Sequence, residues 1–128
     1  MTLSEELEWR GFINQTTLAD LKELDSKQWT FYHGFDASAP SQTVGNLAGL
    51  MFDKVFMRHG HKAILLAGGA TSLIGDPGGK DSERVLQSED TIASNVAGAE
   101  EQIKRVLAGH EFTPVSYTHL ALPTILRV

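Results

Sequence analysis

Gly68-Gly-Ala-Thr-Ser-Leu-Ile-Gly-Asp-Pro-Gly-Gly-Lys-Asp-Ser-Glu-Arg84 follows directly on the short apolar run 63–67, Ala-Ile-Leu-Leu-Ala. An unbroken apolar run of this length, bounded by glycine, predicts a strand buried on both faces. The glycines that follow let the backbone turn sharply and approach a ligand closely. Asp76 can hold an ammonium group, while Lys80 and Arg84 can hold phosphates. The stretch therefore predicts a ligand-binding loop rather than a plain surface turn.

The composition bounds the class of protein. The chain has 128 residues, enough for about one domain, and ordinary apolar and charged fractions. Its net charge of -5 provides no basic field that would steer the chain to nucleic acid. It has no cysteine, which excludes disulfides and thiolate chemistry. The acidic N-terminus and the lack of a membrane-length apolar run predict a cytoplasmic protein without a membrane partner.

Residues 1–28 are predicted to form a helical segment. Thr2 and Glu5 have the spacing of a capping box ahead of an apolar run, which indicates a short first helix. Thr17 is predicted to cap a second short helix that carries Leu18, Leu21 and Leu24 on one side. The two helices would form a hairpin that packs on the core.

Residues 29–112 have the pattern of a partial α/β nucleotide-binding domain. An aromatic strand (29–35) is followed by a loop with Asp36 and Ser38, and then by a helix that starts near Thr43. Leu47, Leu50, Met51 and Val55 are predicted to form the core face of that helix. The strand at 63–67 would complete a parallel βαβ unit, whose helix N-terminus presents N–H groups to a nucleotide.

A further helix is predicted to begin at Ser88 and to end at Gly109. Its apolar stripe steps by four and three through Ile92, Val96, Ala99, Ile103 and Val106. Residues 113–128 contain Pro114 and Pro123 and do not continue the pattern. We predict that this tail is of non-native origin, and the alternative is that it forms a real strand or a partner peptide.

Several blocks in order resemble the start of the bacterial-type tyrosyl-tRNA synthetases, a class I family. The blocks are Tyr32-His33-Gly34-Phe35-Asp36, Thr43-Val44-Gly45-Asn46, Gly60-His61-Lys62 and the loop 68–84. The likeness runs from about Leu7 to Phe112, which would be roughly the first quarter of a complete enzyme of that family. It implies a Rossmann-like catalytic domain, of which the chain holds the first βαβ half.

The resemblance also implies an activity and a set of partners. The family activates tyrosine with ATP to tyrosyl-adenylate and then esterifies tRNA(Tyr), with Mg²⁺ bound through the ATP phosphates. A homodimer is implied for a full-length protein. Because the family's second ATP-binding loop and its RNA-binding parts have no counterpart in the sequence, this chain alone is expected to be inactive.

The resemblance assigns roles position by position. Tyrosine would be bound by Tyr32, Thr71 and Asp76. ATP would be bound by His33, Gly34, Asp36, Ser38, Gly45 and Asn46. The catalytic positions would be Thr43, Asn46, Lys80 and Arg84.

One departure from the family concerns the signature at the helix start, whose first residue is usually histidine and here is Thr43. The threonine hydroxyl can donate to a phosphate oxygen, with Ser38 sharing that work. Alternatively, Thr43 is only the N-cap of the helix. Both interpretations stay open.

The histidines His33, His59, His61 and His110 show no ligand spacing, so no metal site is predicted. His59 and His61 flank a glycine, which predicts an exposed turn. Two other functions remain as alternatives. One is another class I nucleotidyl transferase such as tryptophanyl-tRNA synthetase, against which Tyr32 and the loop 68–80 argue. The other is a non-catalytic nucleotide-binding module.

Overall fold

The computed structural model describes residues 1–68 and 88–117. Its elements, in chain order, are α1 (Leu3–Trp9), a 3-10 helix (Leu21–Asp25), β1 (Thr30–Asp36), α2 (Val44–Arg58), β2 (Lys62–Gly68), α3 (Glu89–Val106) and β3 (Phe112–Tyr117). The three strands form one sheet in the order β1-β2-β3, and both pairs are parallel. The predicted α/β class and parallel sheet are therefore confirmed.

Two helices cover one face of the sheet. Leu65 at the centre of β2 packs in a buried cluster with Leu50 of α2 and Ile103 of α3. A second cluster, nearer the carboxyl end of β2, joins Ala67 to residues of α3. Four of the five residues predicted for the α3 stripe are buried, namely Ile92, Val96, Ala99 and Ile103. The α3 prediction is confirmed, and Ser88 is its N-cap.

The other face of the sheet is open in the described part of the chain. Tyr32 on β1 is 74% exposed, and its neighbours in the register, Ile64 and Thr113, are half-buried and exposed. In β2, buried and half-buried residues alternate. The prediction that β2 is buried on both faces is therefore wrong for the described residues, because α2 and α3 pack on one face only.

The N-terminal segment differs in part from the prediction. The capping box of Thr2 and Glu5 is present and starts α1. No helix begins at Thr17. Instead, Asp20 caps the 3-10 helix by accepting a hydrogen bond from the Lys22 N–H at 2.9 Å. Aspartate is a better N-cap than threonine, which favours a helix start at Asp20 over one at Thr17.

The predicted core face of α2 is confirmed in part, because Leu50 and Val55 are buried and the other two residues are not. Leu47 and Met51 are 41% and 42% exposed. The buried set is Leu50, Asp53, Val55, Phe56 and Met57, so the buried face is rotated from the predicted one toward Asp53 and Phe56. Val55 and Phe56 pack against Leu3 and Leu7 of α1, which fixes this rotation of the helix.

Strand β3 continues five residues past position 112, where the sequence indicated the end of the domain. It pairs with β2 from Phe112 to Tyr117. Pro114 is compatible with this strand because β3 lies at the edge of the described sheet, where a missing N–H need not break a ladder. The non-native origin of the rest of the tail stays a prediction.

Candidate functional site

The candidate site lies where the carboxyl ends of β1 and β2 meet the start of α2. Asp36 and Gly68, the last residues of the two strands, are register partners. In open α/β sheets, ligands bind at this carboxyl edge. The loop from Ala37 to Gln42 then leads from β1 to α2 and borders the site.

Side chains of α3 hold that loop. The Gln42 N–H donates to Oε1 of Gln102 at 2.9 Å, and Nε2 of Gln102 donates to the Pro40 carbonyl at 3.4 Å. Gly98 lies under the same carbonyl, because a Cβ there would stand 3.1 Å from it. Gln102 was not predicted from the sequence, because a glutamine on a helix surface is usually solvated. The loop that carries Ser38 is thus fixed on a rigid helix.

The start of α2 is closed by a reciprocal cap. The Asn46 N–H donates to Oγ1 of Thr43 at 3.3 Å. Oδ1 of Asn46 accepts from the Thr43 N–H at 3.0 Å and from its hydroxyl at 2.6 Å. The first turn carries no acidic residue, so the positive end of the helix dipole is available to an anion. This geometry favours the N-cap interpretation of Thr43.

The glycines of the site differ in the space around them. A Cβ at Gly45 would stand 3.5 Å from Oγ1 of Thr43, and one at Gly34 would stand 3.8 Å from Leu66. Both distances are ordinary contacts, so packing within the described residues does not require glycine there. Gly49, which the sequence did not single out, is different. A Cβ there would stand 2.7 Å from Cε1 of His33.

His33 is paired with Asp53, a residue that sequence reasoning missed. Nδ1 of His33 lies 2.7 Å from Oδ2 of Asp53. Asp53 is only 1% exposed, whereas the His33 side chain is 33% exposed. The hydrogen bond to Asp53 raises the pKa of His33 above its ordinary value, against the opposing effect of burial. The pair therefore favours a charged imidazole between β1 and α2.

Strand β1 separates His33 from the other predicted site residues that it carries. His33 lies on the face of β1 that α2 covers, while Tyr32 lies on the open face. Successive side chains of a strand point to opposite faces, so the two residues point apart. Asp36 and Gly34 share the open face with Tyr32. The two faces meet at the carboxyl edge, where a ligand could reach both.

Four predicted site residues, Thr71, Asp76, Lys80 and Arg84, lie outside the residues that the structure describes. Their roles stay predictions.

The two histidines beside Gly60 are not exposed as predicted. His61 is 7% exposed, and its Nδ1 accepts the Trp29 N–H at 3.0 Å. Burial lowers the pKa of His61. Nε2 of His59 lies 2.7 Å from Oε2 of Glu6. Both rings serve the packing of the N-terminal segment, at the end of the sheet opposite the candidate site.

Among residues 1–68 and 88–117, no three histidine or acidic side chains converge as metal ligands would.

None of the helices described is both long enough and apolar enough to cross a membrane.

Comparison with known proteins gives consistent matches. The model of the family described as "tRNA synthetases class I (W and Y)" matches residues 24–121. The Tyrosine--tRNA ligase of Bacillus caldotenax is 47% identical over 109 residues, which cover 84% of this chain and 26% of that protein. The Tyrosine--tRNA ligase of Staphylococcus carnosus is 45% identical over 106 residues, covering 81% of this chain and 25% of that protein.

Two solved structures are similar. The C-terminally truncated mitochondrial tyrosyl-tRNA synthetase of Aspergillus nidulans aligns with a TM-score of 0.69 and 27% identity over 90% of this chain and 37% of that one. That of Coccidioides posadasii aligns with a TM-score of 0.67 and 33% identity over 82% and 28%. The chain thus spans about a quarter of the length of the curated relatives named above. The family match, the parallel sheet and the capped helix at its carboxyl edge agree, and the chain belongs to the class I tRNA synthetases of the tryptophan and tyrosine group.

Proposed function

We propose that this chain is the nucleotide-binding part of a tyrosine–tRNA ligase, which activates tyrosine with ATP and transfers it to tRNA(Tyr). The observation that carries the proposal is the placement of the signature 43–46 as the cap of α2 at the carboxyl edge of the sheet, beside a strand whose other face carries the exposed Tyr32. The relatives named above, all called tyrosine–tRNA ligases or tyrosyl-tRNA synthetases, support tyrosine over tryptophan.

The reaction proposed is an in-line displacement at the α-phosphorus of ATP by the tyrosine carboxylate. It needs no covalent enzyme group, but it needs positioned reactants and stabilised charge on the phosphates. The N-terminus of α2 suits this task, since Gly45 leaves the first turn uncovered and no acid lies in that turn. Ser38, Asp36 and Gly34 border the same edge and would line the adenylate.

Tyrosine would lie on the open face of the sheet. Tyr32 is exposed there, so its hydroxyl can reach a ligand. A hydrogen bond to the substrate phenol would reject phenylalanine, because the analogue leaves a buried polar group without its partner. We further propose that Thr71 and Asp76 hold the tyrosine amino group and that Lys80 and Arg84 hold the pyrophosphate, as the family resemblance implies.

Mg²⁺ would enter with ATP. Mg²⁺ dehydrates reluctantly and is usually held through substrate phosphates and water, so the ATP phosphates would be its main ligands here. The metal would neutralise charge that builds up on the leaving pyrophosphate. A homodimer and a cytoplasmic location complete the proposal for the whole protein.

A hybrid enzyme tests the proposal. Residues 1–112 of this chain would replace the matching quarter of the Geobacillus stearothermophilus Tyrosine--tRNA ligase, to which the chain is 46% identical. We expect the hybrid to catalyse tyrosine-dependent exchange of pyrophosphate into ATP, and the isolated chain to show none. The parent ligase with and without tyrosine is the control. A folded hybrid that exchanges with tryptophan instead, or with neither amino acid, would contradict the proposal.

A further inference from the structure

We propose that Asp53 is a positioning residue that holds His33 against Gly49, so that Nε2 of His33 donates to the phosphates of ATP. His33 would then supply the imidazole that the signature of this chain lacks at Thr43. This inference rests on the proposed function, because it assigns a role within the ATP site.

The side chains of the signature residues Thr43 and Asn46 are already hydrogen-bonded to each other. The Thr43 N–H and hydroxyl both donate to Oδ1 of Asn46, and the Asn46 N–H donates to Oγ1 of Thr43 in return. Both side chains therefore stabilise the start of α2, and neither hydroxyl nor amide oxygen is a titratable donor. A phosphate at this helix start would accept hydrogen bonds from backbone N–H groups. A cationic side chain beside it must come from another part of the chain.

A row of residues along one face of α2 runs from the helix start to the His33 ring. Asn46, Gly49 and Asp53 are spaced three and four residues apart, so they lie on one face of the helix. The His33 ring lies on this row, in contact with Asp53 and directly over Gly49. Gly49 is one helical turn from Asn46, which puts the ring within one turn of the proposed phosphate site.

The two nitrogens of the His33 ring have different surroundings. Its Nδ1 is bound to Asp53, so Nε2 is the polar atom on the other side. Nε2 and Cε1 form the edge against Gly49, since a Cβ at that glycine would stand 3.4 Å and 2.7 Å from them. In the described part of the chain Nε2 makes no hydrogen bond, and the side chain is one third exposed. The ring thus keeps, on a partly exposed side chain beside Gly49, a nitrogen that is without a hydrogen bond in the described part of the chain.

Packing alone does not account for the His33–Asp53 pair. A buried carboxylate is expensive to desolvate, and an apolar pair of similar volume is often as stable or more stable. His33 is not sealed in the core, whereas Asp53 is. A buried acid behind a half-exposed histidine is the arrangement that fixes a tautomer and keeps the outer nitrogen as a donor. The other ring contacts, Phe35 and Gly49, carry no charge.

The test uses the whole chain with ¹³C-labelled histidine, in the parent and in three variants. Asp53→Asn keeps the shape and removes the charge, and His33→Gln removes the ring and identifies its signals. Glu111→Gln is the matched control, because it removes one charge from an exposed residue before β3. ATP and adenosine, which has no phosphate, are titrated into each protein by calorimetry. The His33 ring signals are followed from pH 5 to 9.

We expect ATP to bind about tenfold more weakly to Asp53→Asn and to His33→Gln, an effect of about 1.4 kcal/mol. Adenosine should bind both variants as it binds the parent, and Glu111→Gln should bind both ligands normally. Without ligand, the pKa of His33 should fall in Asp53→Asn. In the parent, ATP should raise that pKa further and adenosine should not.

Three outcomes would overturn the inference. Equal weakening for ATP and adenosine would mean that His33 only shapes the site. ATP binding unchanged in both variants would remove His33 from the phosphates and leave the proposed function intact. Binding of neither ligand by the parent chain would instead count against the nucleotide site itself. If Asp53→Asn does not fold, the comparison of His33→Gln with the parent decides alone.

Discussion

Nε2 of His59 lies 2.7 Å from Oε2 of Glu6, and this contact joins the C-terminal cap of α2 to α1. Oε1 of the same carboxylate accepts from Nε of Arg10 at 2.8 Å and lies 3.5 Å from Arg58. The hydrogen bond from His59, and then that from Arg10, lowers the pKa of Glu6. A single acid of α1 therefore gathers two arginines and a histidine and fastens the N-terminal segment to the nucleotide-binding unit.

The Glu6 cluster predicts an acid-sensitive contribution to stability. Because the pKa of Glu6 is lower in the folded state, its stabilisation is present above the ordinary value of 4.5 and is lost as pH falls through the lowered value. Glu6→Gln should therefore be less stable than the parent at pH 7, and the gap should close toward pH 3. Urea unfolding across this range measures it. Glu8→Gln, an exposed acid on the same helix, is the control and should give no such gap.

The His33–Asp53 pair predicts a contribution to stability with the opposite pH dependence to that of Glu6. The pKa of His33 is raised by folding, so its contribution is full below the ordinary value of about 6.5 and is lost as pH rises through the raised value. The difference in unfolding free energy between the parent and Asp53→Asn should therefore shrink from pH 6 to pH 9. The buried His61 titrates in both proteins, so it cancels in the difference. A difference that stays constant with pH would mean that the pair does not hold the charged ring.

Gly49 provides a test of the packing around His33. Alanine at this position would gain about 1 kcal/mol of helix propensity. Its Cβ, however, would stand 2.7 Å from the His33 ring and displace it from Asp53. We expect Gly49→Ala to destabilise the parent and to stabilise the His33→Ala variant. Thermal unfolding of the four proteins of this cycle measures the change of sign. Stabilisation in both backgrounds would place the ring away from Gly49.

These cases indicate what the sequence could and could not predict. The βαβ unit and the α3 stripe were predicted because their apolar spacing is strong and is decided locally. The rotation of α2 was not predicted, because it depends on contacts with α1 that bury Phe56 and leave Met51 exposed. Asp53 was missed because an acid among apolar helix residues is usually solvated. Its burial depends on a histidine twenty residues away, and that pairing appears only when β1 and α2 pack.

Thr43 offers a test of its N-cap interpretation. As an N-cap, it should contribute about 1 kcal/mol to stability. Thr43→Val keeps the shape and removes the hydroxyl, so it should be destabilised by about that amount, whereas Thr43→Ser should match the parent. Urea unfolding at neutral pH measures both. A Thr43→Val variant as stable as the parent would show that the hydrogen bonds with Asn46 do not support the helix.

Tyr32 gives the prediction on substrate choice. Its side chain is 74% exposed on the open face of the sheet, so Tyr32→Phe should leave the unfolding free energy of the chain within about 0.5 kcal/mol of the parent. In the hybrid ligase, the same change removes the hydroxyl proposed to meet the substrate phenol. A hydrogen bond between uncharged groups contributes about 0.5–1.5 kcal/mol, so the preference for tyrosine over phenylalanine in kcat/KM should fall by several fold, up to about tenfold. Pyrophosphate exchange with each amino acid measures the preference, and Thr30→Val, two residues before Tyr32 on the same face of β1, is the matched loss of an exposed hydroxyl. An unchanged preference in Tyr32→Phe, or an equal fall in Thr30→Val, would mean that the phenol is not recognised by Tyr32.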